Sequence, residues 1–268
     1  MKTIFNHWIW PWNKTEESLH FVTKMTIFIV LVVILVHVLF AHNVFGDDRK
    51  VFSFQSAKKS LYTMDFKQDF YCGCSFSKGK IDFKHCDFKD PKNSSRSRQV
   101  EAEHVVPASW FGRNFKEYRL GDKRCKTSKG VLYSGRLCLL KISPEYKMIH
   151  NDFHNLKPTV GSANGARSDL SYCEIAGEDW LYQGCDFERS KGKCVEPRES
   201  VRGDIARVFE YMNRKYPKRV IIPEDLKPLL KQWNESDPVD KRECRIDSQI
   251  YSVQRNHNPF VYSQCGDW

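Results

Sequence analysis

Glu103 and His104 stand side by side near the end of residues 99–106, an alternating, strand-patterned run that stops at Pro107. The carboxylate can bind a hard cation, and a neutral imidazole beside it can take a proton from water near neutral pH. Two other stretches carry complementary chemistry. Residues 113–124 are rich in lysine and arginine, and an arginine there can neutralise phosphate charge. Residues 152–158 (DFHNLKP) run into Gly161-Ser162-Ala163-Asn164-Gly165, where carboxamide oxygens add hard donors of the kind Mg²⁺ accepts. Each feature alone is commonplace, since a histidine beside a glutamate is usually structural or simply exposed. Their combination is far more specific.

The elements that must position these groups can be read coarsely. Residues 51–64 have the pattern of a first helix, and residues 69–83 hold short strand-like pieces around Cys72-Gly73-Cys74. Residues 89–98 form a polar turn, and residues 112–137 read as a long basic loop. Residues 200–216 place Val201, Ile205, Val208 and Met212 at helical spacing, with Ser200 as the expected N-cap and Pro217 as the stop. Phe209 and Tyr211 belong to the same helix and are expected in its core. No linker divides residues 47–268, which are expected to form one domain.

The chain has 268 residues, 41% hydrophobic and 28% charged, which excludes disordered, collagen-like and fibrous-repeat classes. Its formal charge of +10 favours an anionic partner. Residues 25–41 are apolar apart from Thr26 and His37, and polar Asp47-Asp48-Arg49-Lys50 follows them shortly. Residues 1–46 therefore read as a signal peptide, cut after Ala41 or Gly46, or as a single-pass anchor with Trp8, Trp10 and Trp12 at the membrane interface. All ten cysteines lie beyond this segment. That is a disulfide framework for an oxidising compartment, with the pairing left open. A zinc site at Cys72, Cys74, His85 and Cys86 is the alternative, with poor ligand spacing.

The segment EHVVPASWFG resembles the signature of the bacterial endonuclease I family of periplasmic and secreted non-specific nucleases. The resemblance continues in FYCGC upstream and in HNLKPTVGSANGARSD, RGDIARVFEYM, LLKQWNESDPVDKRECRID and VQRNHNPFV downstream, from about Tyr71 to about Val261. It implies an α+β fold built on a ββα-metal (His-Me finger) core holding one divalent ion, expected to be Mg²⁺. It further implies His104 as general base, Glu103 and Asn164 as metal ligands, and Asn155 as a residue that fixes the loop. His154 is expected to be structural. For the family arginine, borne on a GGRKNC-like stretch, Arg124 is the choice within Leu120-Gly121-Asp122-Lys123-Arg124-Cys125, with Arg119 and Lys123 as stand-ins. The partner is then DNA, with RNA open, held through its phosphates by an exported monomer that needs no organic cofactor. The alternative is a disulfide-rich nucleic-acid or polyanion binder without catalysis. One geometric demand follows: strand neighbours point to opposite faces, so the strand must end or bulge near His104 for Glu103 and His104 to meet one phosphate.

Overall fold

The computed structural model describes residues 25–29 and 53–266. The chain divides into two units, Met1–Arg49 and Lys50–Trp268. In the first, residues 25–29 are helical, and the remainder of the expected export segment, 1–46, lies outside the described residues. Among the described residues no helix is long and apolar enough to cross a membrane.

The second unit has an α+β fold. It opens with helix α1 (Phe54–Leu61), a small hairpin of β1 (Phe76–Ser77) and β2 (Lys80–Ile81), and strand β3 (Val100–His104). Four short helices follow: α2 (Ala108–Gly112), α3 (Lys116–Leu120), α4 (Gly135–Ile142) and α5 (Pro144–His150). The chain then returns as β4 (Leu156–Val160), which passes directly into α6 (Gly161–Arg167). β3 and β4 pair antiparallel, with Val100 opposite Val160 and His104 opposite Leu156. Together with α6 they form a ββα unit into which α2–α5 are inserted. A three-stranded sheet comes next, from β5 (Ser171–Tyr172), β6 (Phe187–Ser190) and β7 (Cys194–Pro197), in the order β5-β7-β6. Helices α7 (Arg202–Lys215), α8 (Lys227–Ser236), α9 (Lys241–Gln254) and α10 (Pro259–Tyr262) complete the unit.

The alternation along β3 sorts its side chains onto two faces. Ala102 packs with Leu156 and Phe153 against Ala57 and Leu61 of α1 and Ile246 and Ile250 of α9. Glu101 and Glu103 turn the other way and meet α6. Behind α6 lies the larger core, in which Ile205, Phe209 and Met212 of α7 pack with Leu230 and Trp233 of α8. Asp152, just ahead of β4, ties the finger to these helices. Its Oδ2 accepts from Tyr211 (2.8 Å), Tyr216 (2.7 Å) and Lys215 (2.8 Å), and its Oδ1 from Gln254 (2.9 Å). Burial alone would raise this carboxyl, but Lys215, His154 and the hydrogen bonds hold it well below the usual range.

Several expectations change. The first helix begins at Phe54, because the Ser53 side chain caps it by accepting from the Ser56 N–H. Residues 112–137 are not one loop: they contain α3 and the start of α4. Ser200 does not cap the long helix but lies in a 3₁₀ turn, Glu199–Val201, ahead of α7. The capping oxygen comes from elsewhere in the fold, since Asp237 Oδ2 accepts from the Gly203 N–H at 2.8 Å. The zinc alternative falls, because Cys72 and Cys74 are bonded to Cys185 and Cys86.

Five disulfides account for all ten cysteines: Cys72–Cys185, Cys74–Cys86, Cys125–Cys138, Cys173–Cys194 and Cys244–Cys265. Cys72–Cys185 spans 113 residues and joins the segment before the finger to the sheet after it, whereas Cys125–Cys138 closes only 13. Loop-closure entropy assigns about 4–5 kcal/mol to the former and about 3 kcal/mol to the latter. The Cys72→Ala/Cys185→Ala pair should therefore cost more in urea unfolding than Cys125→Ala/Cys138→Ala. Equal or reversed losses would mean that native packing, not loop closure, sets these values.

Candidate active site

β3 ends at His104, and the backbone beyond it is held in place from three sides. The Val105 N–H donates to the Asn155 carbonyl at 3.0 Å. The Asn155 side chain accepts from the Val106 N–H at 2.7 Å and donates to the Val106 carbonyl at 3.0 Å. Arg167 of α6 donates to the carbonyls of His104 (2.8 Å) and Val105. Two residues distant in sequence, Asn155 and Arg167, thus define how the strand terminates.

That termination sets the imidazole. His104 Nε2 lies 2.8 Å from the His150 carbonyl at the end of α5. A carbonyl only accepts, so Nε2 carries the proton and Nδ1 of the neutral ring keeps its lone pair. Phe54 stacks on the ring at 5.7 Å, and Phe111 and His150 border it. Burial and the neighbouring His150 hold the His104 pKa well below that of a free imidazole, so the ring is neutral at physiological pH. A neutral ring with a fixed tautomer and an open lone pair is equipped to accept a proton.

On the opposite face, Glu103 is buried. Its Oε1 takes both the Tyr71 hydroxyl (2.8 Å) and Arg167 Nη1 (3.0 Å). Burial raises the Glu103 carboxyl above the usual range, against the pull of Arg167 and Tyr71. Asn164 stands three residues before Arg167, one helical turn away, and Glu101 two residues before Glu103, so the pairs meet in register. Asn164 Nδ2 donates to Glu101 Oε2 at 2.7 Å. Because a carboxylate only accepts, this bond fixes the amide and leaves Asn164 Oδ1 facing away from Glu101. Glu101 is itself gripped by Arg96, Nε to Oε1 at 2.8 Å and Nη2 to Oε2 at 2.6 Å. Gly161 permits this closeness: a Cβ there would stand 2.7 Å from the Arg96 carbonyl oxygen.

Glu103, His104 and Asn164 line one cavity of about 660 Å³, with Glu101, Arg96 and Lys58. The face problem is thus resolved by the strand's end, around which the cavity extends. Asn155 lies behind it, bonded to Val106. His154 is buried against Tyr211, with Nε2 3.1 Å from the Asn256 carbonyl. Arg124 is not brought to the cavity. It is exposed on its loop and paired with Asp122 at 2.8 Å, while Arg119 and Lys123 border a different depression. Two arginines line the His104 cavity: Arg96, which grips Glu101, and Arg136, at the start of α4. The sequence held a signal for the second: Gly135-Arg136-Leu137-Cys138 is a second Gly-Arg stretch ahead of a cysteine and lies nearer the finger than Arg124 does. Arg167 and Tyr71, which hold Glu103, also belong to the site. Arg167 could have been noticed as the residue one helical turn beyond Asn164.

The family model described as Endonuclease I matches residues 41–265. The chain belongs to the endonuclease I family. It is an enzyme that cleaves nucleic acid, and Endonuclease-1 of Buchnera aphidicola subsp. Acyrthosiphon pisum is 34% identical over 83% of this chain and 92% of its own length. An extracellular deoxyribonuclease of Aeromonas hydrophila is 31% identical, over 80% of this chain and 89% of its own. A periplasmic deoxyribonuclease of the same organism is 30% identical, over 80% and 86%.

The Arg167–Glu103 pair is buried on both sides. Removing one partner of a buried pair costs about 3–5 kcal/mol, because the other charge is left without compensation. Arg167→Met should show that loss in chemical denaturation. Adding Glu103→Gln should restore part of the stability without restoring nuclease activity. Full stability of the single variant would show that the guanidinium is dispensable to the strand end.

Proposed function

We propose that this chain is an exported, Mg²⁺-dependent, sequence-non-specific endonuclease that cuts DNA, with His104 as general base, Glu103 and Asn164 as metal ligands and Arg136 on the scissile phosphate. The observation that carries the reading is the His104 ring: its tautomer is fixed by the His150 carbonyl, and it shares a cavity with Glu103 and Asn164. Export is supported by the five disulfides and by the extracellular and periplasmic relatives.

The donor set fits a hard divalent ion. Glu103 engages Tyr71 and Arg167 through Oε1 alone, and the Glu101 contact turns the oxygen of Asn164 outward. Such an ion supplies positive charge to a phosphoryl oxygen and to the departing oxygen. His104 Nδ1 takes the proton from a water, whose oxygen attacks phosphorus in line. The bond to the 3′ oxygen breaks, leaving a 5′ phosphate. Arg136 and Lys58, both at the cavity, offer charge-assisted contacts to non-bridging oxygens. Contacts of this kind meet the backbone rather than base edges, which accounts for the absence of sequence preference.

His104→Ala should lower plasmid cleavage by about 10²-fold or more. DNA affinity should stay near wild type, since it rests on basic side chains and phosphates. EDTA should stop the wild-type enzyme, and added Mg²⁺ should restart it. A folded His104→Ala protein cutting at more than about a tenth of the normal rate would remove the general-base role. DNA binding without any EDTA-sensitive cleavage would favour the non-catalytic binder instead.

The two arginines make opposite predictions. Arg136→Ala should reduce the cleavage rate about 10²-fold, the loss typical of one preorganised charge at a reacting centre. Arg124→Ala should leave cleavage within about twofold of wild type, as substitutions at rim charges do. The reverse result, measured on the same plasmid at one salt concentration, would return the phosphate contact to Arg124.

A further inference from the structure

The three-stranded sheet carries a second cluster of oxygen donors, made of residues that take no part in the His104 cavity. An irregular segment, residues 173–186, leads from β5 towards β6 and brings Glu178 and Asp186 beside Glu188 of β6. One carboxylate oxygen from each lies within 4.8 Å of the others. The three side chains border a cavity of about 440 Å³.

Two observations set this cluster apart from ordinary surface acidity. Glu188 is only 3% exposed, and among the described residues its buried Oε2 has no hydrogen-bond partner. An unmet, buried carboxylate oxygen is costly unless something binds it. Glu188 also stands directly opposite Glu196 in the β6–β7 register, where like charges destabilise the pair. The nearby cations are engaged elsewhere. Arg202 holds Glu196 Oε1 at 2.7 Å, and Arg198 donates to the Phe70 carbonyl at 3.1 Å. The other oxygen of Glu196 accepts from the Ile175 N–H. Among the described residues Glu178 accepts one hydrogen bond, from Trp180 Nε1 at 3.0 Å.

We propose that Glu178, Asp186 and Glu188 form a divalent-cation site, separate from the catalytic one, that prefers Ca²⁺ and secures residues 173–186 against the sheet. Ca²⁺ binds six to eight oxygens at about 2.3–2.6 Å in tolerant geometry, so two of its ligands can stand up to about 5 Å apart. Mg²⁺ requires near-octahedral ligands at about 2.0–2.1 Å and gives up its waters reluctantly, which suits carboxylates from two separate segments poorly. The bound ion would satisfy Glu188 Oε2 and cancel the repulsion among the three carboxylates and Glu196.

The test uses the intact, oxidised chain and three probes: CaCl₂, MgCl₂ and TbCl₃, a luminescent Ca²⁺ surrogate. Saturating Ca²⁺ should raise Tm by about 5 °C or more above the EDTA value, and Mg²⁺ by clearly less. Glu188→Gln should lose most of the Ca²⁺-dependent rise while still nicking plasmid in Mg²⁺. The Glu178→Gln/Asp186→Asn pair, at more accessible positions, should behave in the same way and covers the case in which Glu188→Gln does not fold. Trp180, hydrogen-bonded to Glu178, should sensitise Tb³⁺ emission that Ca²⁺ displaces. Trp180→Phe should cut that emission severalfold yet keep the Ca²⁺ shift in Tm. The same Ca²⁺ shift in the carboxylate variants as in wild type, or equal shifts with Ca²⁺ and Mg²⁺, would overturn the assignment.

Discussion

A buried guanidinium holds the end of β3 in its working shape. Arg167 donates to the carbonyls of His104 and Val105 and pairs with Glu103, so one side chain binds three consecutive residues at the end of the strand. It also lies over the Tyr172 ring at 4.8 Å, which anchors the finger to the strand that follows it. A buried charge is tolerable only when its donors are used. Here both Nη groups are used, on the His104 and Val105 carbonyls and on Glu103, while Nε has no hydrogen-bond partner among the described residues. The same helix presents Asn164 one turn earlier, so a single rigid element positions both the clamp and an amide at the cavity.

The inserted helices matter as much as the finger itself. His150, at the end of α5, supplies the carbonyl that fixes the His104 tautomer, and Arg136, at the start of α4, reaches the same cavity. Cys125–Cys138 ties α4 to the loop before it, which limits how far Arg136 can drift from His104. Asp152 performs the corresponding task on the other side. Its two oxygens collect donors from α7, α9 and the residue after α7, so the helices that form the large core also hold the approach to β4. The site is stiff because its supports come from several directions, not because any one contact is strong.

Buried ionic groups recur through this fold with their partners in place. Arg207 is bonded to both oxygens of Glu243, and Arg167 is paired with Glu103. The surface charge of a basic chain and its buried charge thus serve different ends. Exposed lysines and arginines raise the local concentration of a polyanion, whereas buried ones fix geometry. Glu188 departs from this pattern, being buried with an Oε2 that has no hydrogen-bond partner among the described residues.

The residue types and their order were enough to bring Glu103, His104 and Asn164 together and to place a ββα core in one α+β unit, because local periodicity and the signature around Glu103-His104 are properties of neighbouring residues. The strand ending near His104 was legible for the same reason: opposite faces on a strand are a local rule, and Pro107 marks the limit of the run. The disulfide pairing was not legible, since a chain-wide count of cysteines carries no distances. Which arginines border the His104 cavity was not legible either. Two stretches that each hold one glycine and an arginine precede a cysteine, and only folding places Arg136 at the cavity while leaving Arg124 paired with Asp122. The cap of α7 shows the same division, because Ser200 satisfied the local pattern but Asp237, brought in by α8, supplies the oxygen. Sequence determined which groups could act. Tertiary structure decided which of them meet, because burial and hydrogen-bond partners depend on segments that are remote along the chain.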